Sequence, residues 1–115
     1  MGGWSVTIVR QPVEDYPLGL DREKVLANWT VGAMGVRWID ELVARGKATQ
    51  MKDGGGYPNL YTAPAGVIVS LFIGDEPPSD EPIGMFGPRE VSIKRAEMEA
   101  CPPDEMLTIA VWDQS

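Results

Sequence analysis

Candidates for nucleophilic or acid–base chemistry in this chain, which contains no histidine, include its one cysteine, Cys101, and its seventeen aspartates and glutamates. A serine or cysteine nucleophile usually needs a histidine to take up its proton. Acidic residues flank Cys101, and negative neighbours disfavour the reactive thiolate. The sequence therefore predicts a structural thiol and a protein that is not an enzyme.

Carboxylate pairs and clusters offer two further kinds of chemistry. Glu97 and Glu99 would share one face of a strand, but a wet face does not suit the protonated acid that glycoside hydrolysis needs. The acidic segment 75–81 lacks the ligand spacing and central glycine of a calcium loop. Glycines 54–56 are not followed by the Lys-Ser/Thr pair of a phosphate-binding loop. We expect neither a metal ion nor a cofactor.

The net charge of −7 is distributed unevenly along the chain. Residues 1–74 hold seven acidic and seven basic side chains, whereas residues 75–115 hold ten acidic and three basic ones. Such a field repels nucleic acid and anionic membrane and speeds encounter with cationic surfaces. An acidic surface that only maintains solubility is the alternative. The charge predicts a partner-binding surface that comprises Asp75, Glu76, Asp80, Glu81, Glu97, Glu99, Asp104 and Glu105.

Aromatic side chains beside the loops complete the predicted binding surface. Exposed aromatics that carboxylates surround are typical of binding hot spots. The best placed of these residues are Tyr57, Tyr61 and Phe86. The four tryptophans are instead predicted to be buried, with Trp4 and Trp112 on terminal strands and Trp29 and Trp38 on helices.

The most apolar stretch, Thr62–Pro78, must position the loops on either side of it. The spacing from Pro64 to Phe72 predicts a helix that Thr62 caps and Gly74 ends. The β-branched run at 67–69 leaves a central strand as the alternative.

Two further helices are predicted before this stretch. Asp21 should cap a short helix from Arg22 to about Trp29, and a clearer one runs from Ala33 to Arg45 and ends at Gly46. Alternation and turn residues predict strands at Trp4–Arg10, Lys47–Lys52, Tyr57–Tyr61, Arg89–Arg95 and Met106–Trp112.

Three details of these strands are specific enough to test. Pro58 assigns the Tyr57–Tyr61 strand to a sheet edge. The alternation of the fourth strand continues through Ala96, Met98 and Ala100 if a bulge intervenes. The last strand, which follows a turn at 101–104, is most easily antiparallel to the fourth.

Together these elements predict a single domain, 1–115, of the α+β class. We expect an antiparallel sheet of four to five strands, with about three helices on one face and the terminal strands inner or adjacent. No secretory signal or membrane-spanning run is recognisable, which favours the cytoplasm.

The acidic segments DEPPSDEP (75–82) and EMEACPPDE (97–105), with the size of the chain, resemble small immunity proteins that neutralise bacterial toxins, including contact-dependent growth-inhibition effectors. The resemblance implies one-to-one binding of a cognate toxin with a basic surface, often a nuclease. We expect no direct binding to nucleic acid or membrane, and the oligomeric state stays open. The alternatives are an acidic decoy that imitates nucleic acid, as phage anti-defence proteins do, and a small-molecule-binding domain.

Overall fold

One antiparallel sheet forms the framework of the protein. The structure, a computed structural model, describes residues 3–11, 21–32, 35–52, 59–74, 76–78 and 89–113. The strand order is β3-β4-β6-β1-β2-β5, and every neighbouring pair is antiparallel. The strands are β1 (Trp4–Val9), β2 (Val25–Val31), β3 (Thr49–Lys52), β4 (Asn59–Pro64), β5 (Arg89–Ile93) and β6 (Met106–Asp113).

The two terminal strands lie side by side at the centre of the sheet. Val6 pairs with Val111 and Ile8 with Ile109, which confirms that the terminal strands are adjacent. The prediction that β6 pairs with the strand preceding it is wrong, because β6 pairs with β1 and β4 while β5 lies at the far edge beside β2. Both terminal strands are apolar, and central positions bury more of that apolar surface than edge positions do.

Three helices contribute to one hydrophobic core with alternate residues of the strands. They are α1 (Arg37–Ala44), α2 (Ala65–Ser70) and α3 (Arg95–Glu99). Their buried side chains, which include Ile39, Ile68 and Met98, belong to the same cluster as Val6 and Ile109. The α+β class is confirmed, but the sheet has six strands rather than four to five.

The sixth strand is β2, which the sequence predicts as a helix. Asp21 does act as a cap, since its side chain accepts a hydrogen bond from the Glu23 amide at 3.0 Å. Only one turn of 3₁₀-helix follows, at Arg22–Lys24, before the chain enters β2. Trp29, fully buried in β2, pairs with Val6 of β1. Burial against the central strands therefore outweighed the local helix signal.

The apolar stretch from Thr62 divides into strand and helix. The helix prediction is correct from Ala65 to Ser70, but Thr62 and Pro64 belong to β4, and Pro64 rather than Thr62 occupies the cap position. Gly74 follows the helix with a φ of +61°. Because β4 pairs with both β3 and β6, its predicted edge position is also wrong.

The long helix prediction is correct in its second half. α1 begins at Arg37 rather than Ala33, and Gly46 follows it with a φ of +74°, as expected for a residue that ends a helix. The start of α1 is fixed by the indole N–H of Trp38, which donates to the Gly35 carbonyl at 3.0 Å.

The predicted continuation of the fourth strand through Ala96, Met98 and Ala100 is wrong. The chain forms α3 there, with Met98 fully buried and an ion pair of 2.7 Å between Arg95 and Glu99 one turn apart. Glu97 and Glu99 consequently lie on different sides of a helix rather than on one strand face.

The other face of the sheet carries more polar side chains. Thr7 and Thr108 are buried there, and the hydroxyl of Thr108 donates to the Gln11 carbonyl at 2.6 Å. The side-chain amide of Asn28 donates to the Thr7 hydroxyl at 2.6 Å. These hydrogen bonds satisfy hydroxyl groups that would otherwise be buried without partners. Among the described residues, no helix is long and apolar enough to span a membrane.

Candidate functional site

Helix α3 and the loop after it bring together most of the predicted acidic residues that the structure describes. Glu97 and Glu99 lie in α3, and Asp104 and Glu105 lie between α3 and β6. A hydrogen bond of 2.9 Å from the Arg95 guanidinium to the Gly74 carbonyl holds the turn after α2 against the helix. That turn carries exposed Glu76, whose amide bonds the Ile73 carbonyl at 3.0 Å.

The surface formed by Glu76, Glu97, Glu99, Asp104 and Glu105 is termed the α3 surface. It contains five of the eight predicted acidic partner-binding residues. The predicted residues Asp75, Asp80, Glu81, Tyr57 and Phe86 lie outside the described residues.

Cations within the fold partly neutralise the α3 surface. Glu99 pairs with Arg95 at 2.7 Å, and Glu97 lies 3.9 Å from the ammonium group of Lys94. Glu105 pairs with Arg10, so three of the five carboxylates have cationic partners. Among the described residues, two of the five carboxylates are left without a cationic partner, so this part of the surface is less negative than its carboxylates alone suggest.

The pair between Arg10 and Glu105 has the most defined geometry of these contacts. Two guanidinium nitrogens of Arg10 donate to the two carboxylate oxygens, at 2.5 and 2.8 Å. This hydrogen bonding lowers the pKa of Glu105 below its ordinary value. The carboxylate is therefore fixed in position and charged at neutral pH.

A groove of about 600 Å³ lies beside the Arg10–Glu105 pair. Charged side chains of both signs line it, since Glu23, Lys24 and Glu97 join the Arg10–Glu105 pair there. The exposed side chain of Met106, with 52 % of its surface accessible, adds an apolar contact at the same place. A charged boundary around an exposed apolar group is the usual composition of a protein-binding surface.

A second groove, of about 330 Å³, lies on the other side of α3, against α2. Cys101 borders it but is only 6 % exposed, and its thiol donates to the Glu97 carbonyl at 3.5 Å. Burial raises the pKa of Cys101, with opposing charge effects from Arg10 and Glu105. A buried, protonated thiol agrees with the structural role that the sequence predicts.

The aromatic part of the prediction fails where the structure describes it. Tyr61 lies in β4 with 7 % of its surface exposed, so the expectation of an exposed anchor is wrong. Trp112 is 37 % exposed rather than buried, because the alternation of β6 gives the core face to Val111 before it. Sheet pairing decides both outcomes: β4 is an inner strand, and Trp112 lies on the face opposite the helices.

Two exposed apolar residues beside the α3 surface were missed. Ile73 is 77 % exposed and immediately precedes Gly74, which Arg95 holds against α3. Met106 shares a strand face with Thr108, opposite the core residues Leu107 and Ile109. The alternation of β6 would have identified Met106 as a residue that faces away from the core.

Neither an ion site nor a known relative supplies a function. Within the described ranges, no three carboxylate or cysteine side chains converge as metal ligands. Comparison of the chain with protein-family models, curated proteins and solved structures finds no match. The geometry of the α3 surface is therefore the basis for assigning a function.

Proposed function

We propose that this protein is an immunity-type inhibitor that binds and neutralises a cognate toxin in the cytoplasm through the α3 surface. The observation that carries the proposal is the convergence of five predicted acidic residues around one short helix with a groove on each side. The partner is a protein with a basic surface, and a nuclease cleft is the expected example.

Electrostatics and burial act on different steps of this binding. Glu76 and Asp104, which form no ion pair with any described residue, attract a cationic surface and speed association. Met106 and Ile73, both exposed, lose contact with water when the partner covers them and slow dissociation. A standard interface covers about 800 Å² of each partner. That area is a small part of the 6532 Å² accessible surface of this protein.

The ion pairs disfavour an acidic decoy that imitates nucleic acid. A decoy must present free carboxylates where its target expects phosphates, because phosphate contacts supply most of the affinity of nonspecific binding. Glu97, Glu99 and Glu105 all have cationic partners within the fold. Ion-paired carboxylates, carboxylates without a described cationic partner and exposed apolar groups lie together on this surface, a mixture that is better suited to a protein partner.

The proposal is tested by expressing the proteins encoded next to this chain's gene, alone and together with the chain. We expect one of them to stop growth and the chain to restore it through a direct one-to-one complex. Purified components then allow association and dissociation rates to be measured. If none of the neighbouring products is toxic or none binds the chain, the proposal is wrong.

Matched variants locate the binding surface on the complex. Asp104→Lys should slow association at low salt, whereas Glu41→Lys, an equal change of charge on α1, should not. Met106→Ala should speed dissociation, whereas Met51→Ala on β3 should not, although the two methionines are 52 % and 50 % exposed. Equal effects within both pairs of variants would place the interface elsewhere.

A further inference from the structure

A small polar cavity lies at the end of β1 opposite the α3 surface. Its volume is about 180 Å³, and its polar lining comes from Trp4, Asp40, Asn59 and Tyr61. Trp4 begins β1, whereas the α3 surface adjoins Arg10 just after β1, and a strand of this length spans about 20 Å. The cavity is therefore separate from the proposed toxin-binding surface.

Three secondary-structure elements position these side chains. Asn59 and Tyr61 lie two residues apart in β4 and face the helices, where they pair with Val111 and Ile109 of β6. Asp40 reaches the cavity from the first turn of α1, together with Ile39. All four polar residues thus come from rigid strands or a helix.

The described residues of the lining contain acceptors and one negative charge. The Oδ1 atom of Asn59 is buried and accepts no hydrogen bond from any residue that the structure describes. A buried acceptor without a donor is rare in folded proteins, because its lost hydration is not compensated. Asp40 is the one charged residue among the described residues of the lining, and it forms no ion pair with a described cation.

The tyrosine adds an aromatic wall and a neutral hydroxyl. Tyr61 is 7 % exposed, and burial, followed by the negative charge of Asp40, raises its pKa above the ordinary value of 10.0. The hydroxyl is therefore protonated at neutral pH, which leaves the negative charge of the cavity with Asp40. The indole of Trp4 supplies a second aromatic surface.

We propose that this cavity binds a guanidinium group, with Asp40 as its counter-charge, Asn59 Oδ1 as a further acceptor, and the rings of Trp4 and Tyr61 as walls. A guanidinium donates in several directions within one plane and stacks on aromatic rings, so it suits carboxylate, amide and ring together. The volume admits such a group but lies below the roughly 300–1,000 Å³ of pockets for drug-sized ligands.

The group can belong to a small molecule or to an arginine side chain of a protein. The test titrates the full chain with Nα-acetylarginine amide and with the matching citrulline compound, which has the same shape without the charge. Two-dimensional NMR follows the side-chain amide of Asn59 and the indole N–H of Trp4. We expect both signals to shift with the arginine compound and to stay in place with the citrulline compound.

Neighbouring acidic residues of α1 provide the matched variants. Asp40→Asn should weaken binding at least about tenfold, which corresponds to 1.4 kcal/mol. Glu41→Gln, the same loss of charge one residue later, should change the affinity less than about twofold. Both residues are exposed enough for the fold to persist, and circular dichroism confirms this for each variant.

Each outcome decides the inference. Equal shifts with the arginine and citrulline compounds, or no shift at Asn59 and Trp4, would overturn it, as would equal effects of Asp40→Asn and Glu41→Gln. If the cavity binds the arginine of a Gly-Arg-Gly peptide, the group can come from a protein; if it binds agmatine and excludes the peptide, the ligand is a small molecule. Neither result depends on whether the toxin proposal holds.

Discussion

Arg10 and Glu105, ninety-five residues apart in the sequence, form a two-point ion pair in which Nη2 lies 2.8 Å from Oε1 and Nε 2.5 Å from Oε2. Arg10 follows β1 and Glu105 precedes β6, so the pair joins the two central strands at the end that adjoins the α3 surface. Glu105 also lines the larger groove. One ion pair therefore links the central sheet to the candidate binding surface.

We expect Glu105→Gln to lower stability at neutral pH and to have a smaller effect in acid. The pKa of Glu105 in the folded state lies below its ordinary value of 4.5, because Arg10 hydrogen-bonds the charged form. Its stabilising contribution is therefore complete above pH 4.5 and is lost as the pH falls through the folded-state pKa. Urea unfolding of both proteins at pH 7 and pH 3 measures the two differences.

The control for this prediction is Asp104→Asn, which removes the neighbouring charge. Asp104 forms no ion pair with a described residue, so the urea unfolding midpoint of Asp104→Asn at pH 7 should match that of the wild type. The pair is partly exposed, and its contribution should be modest and weaker in high salt. If Glu105→Gln lowers the stability against urea by as much at pH 3 as at pH 7, the loss does not come from the ion pair between charged Glu105 and Arg10.

Two isoleucines near α2 differ in burial and should differ in their effect on stability. Ile68 is fully buried in the core, whereas Ile73 is 77 % exposed after the helix. Ile68→Ala should lower the free energy of unfolding by about 2–5 kcal/mol, and Ile73→Ala by less than about 0.5 kcal/mol. Chemical denaturation of both variants measures the two losses of unfolding free energy. Similar losses would mean that Ile68 does not face the core while Ile73 faces solvent.

Gly46 allows the conformational cost of a side chain to be measured with little steric interference. Its φ is +74°, and a Cβ atom placed on it would have no heavy atom within 4 Å. Gly46→Ala should therefore destabilise the protein by about 1 kcal/mol through backbone strain alone. Gly46→Asn should cost less, since asparagine tolerates this region better. An alanine variant as stable as wild type would show that α1 ends differently.

The sequence predicted elements where the burial pattern and the local propensity agree. Val6 and Ile8 alternate in β1, and that strand was correctly located; Gly46 follows the second half of a predicted helix, which is the half that α1 confirms. β2 was misread because Asp21 is a genuine cap and the spacing of Val25 and Trp29 also suits a helix. Its pairing with β1 and β5 decides the conformation, and such distant pairing leaves no local signal.

The acidic residues of the candidate site were predicted, but their arrangement and the exposed apolar residues beside them were not. The acidic residues of α3 are visible in the sequence, whereas α3 itself is only five residues long, and the alternation of Ala96, Met98 and the following Ala100 imitates a strand. The partnership of Arg10 with Glu105 spans nearly the whole chain and could not be inferred from local spacing. The charge of the surface was overestimated for that reason.

The tryptophans test the orientation of the sheet faces. Trp29 is fully buried: its ring centroid lies 6.4 Å from that of Trp38, on which it stacks, and 5.6 Å from that of Phe72, which it contacts edge-on. Trp112, in contrast, is 37 % exposed on the opposite face of the sheet. Trp112→Phe should therefore remove a large part of the fluorescence that acrylamide quenches and should leave stability nearly unchanged. Trp29→Phe should spare that quenching but lower stability, because a smaller ring leaves a cavity in the core. Because Trp4 is also partly exposed, some quenching will remain; acrylamide quenching as strong in Trp112→Phe as in the wild type would place the Trp112 indole in the interior and reverse the assignment of the two faces of β6.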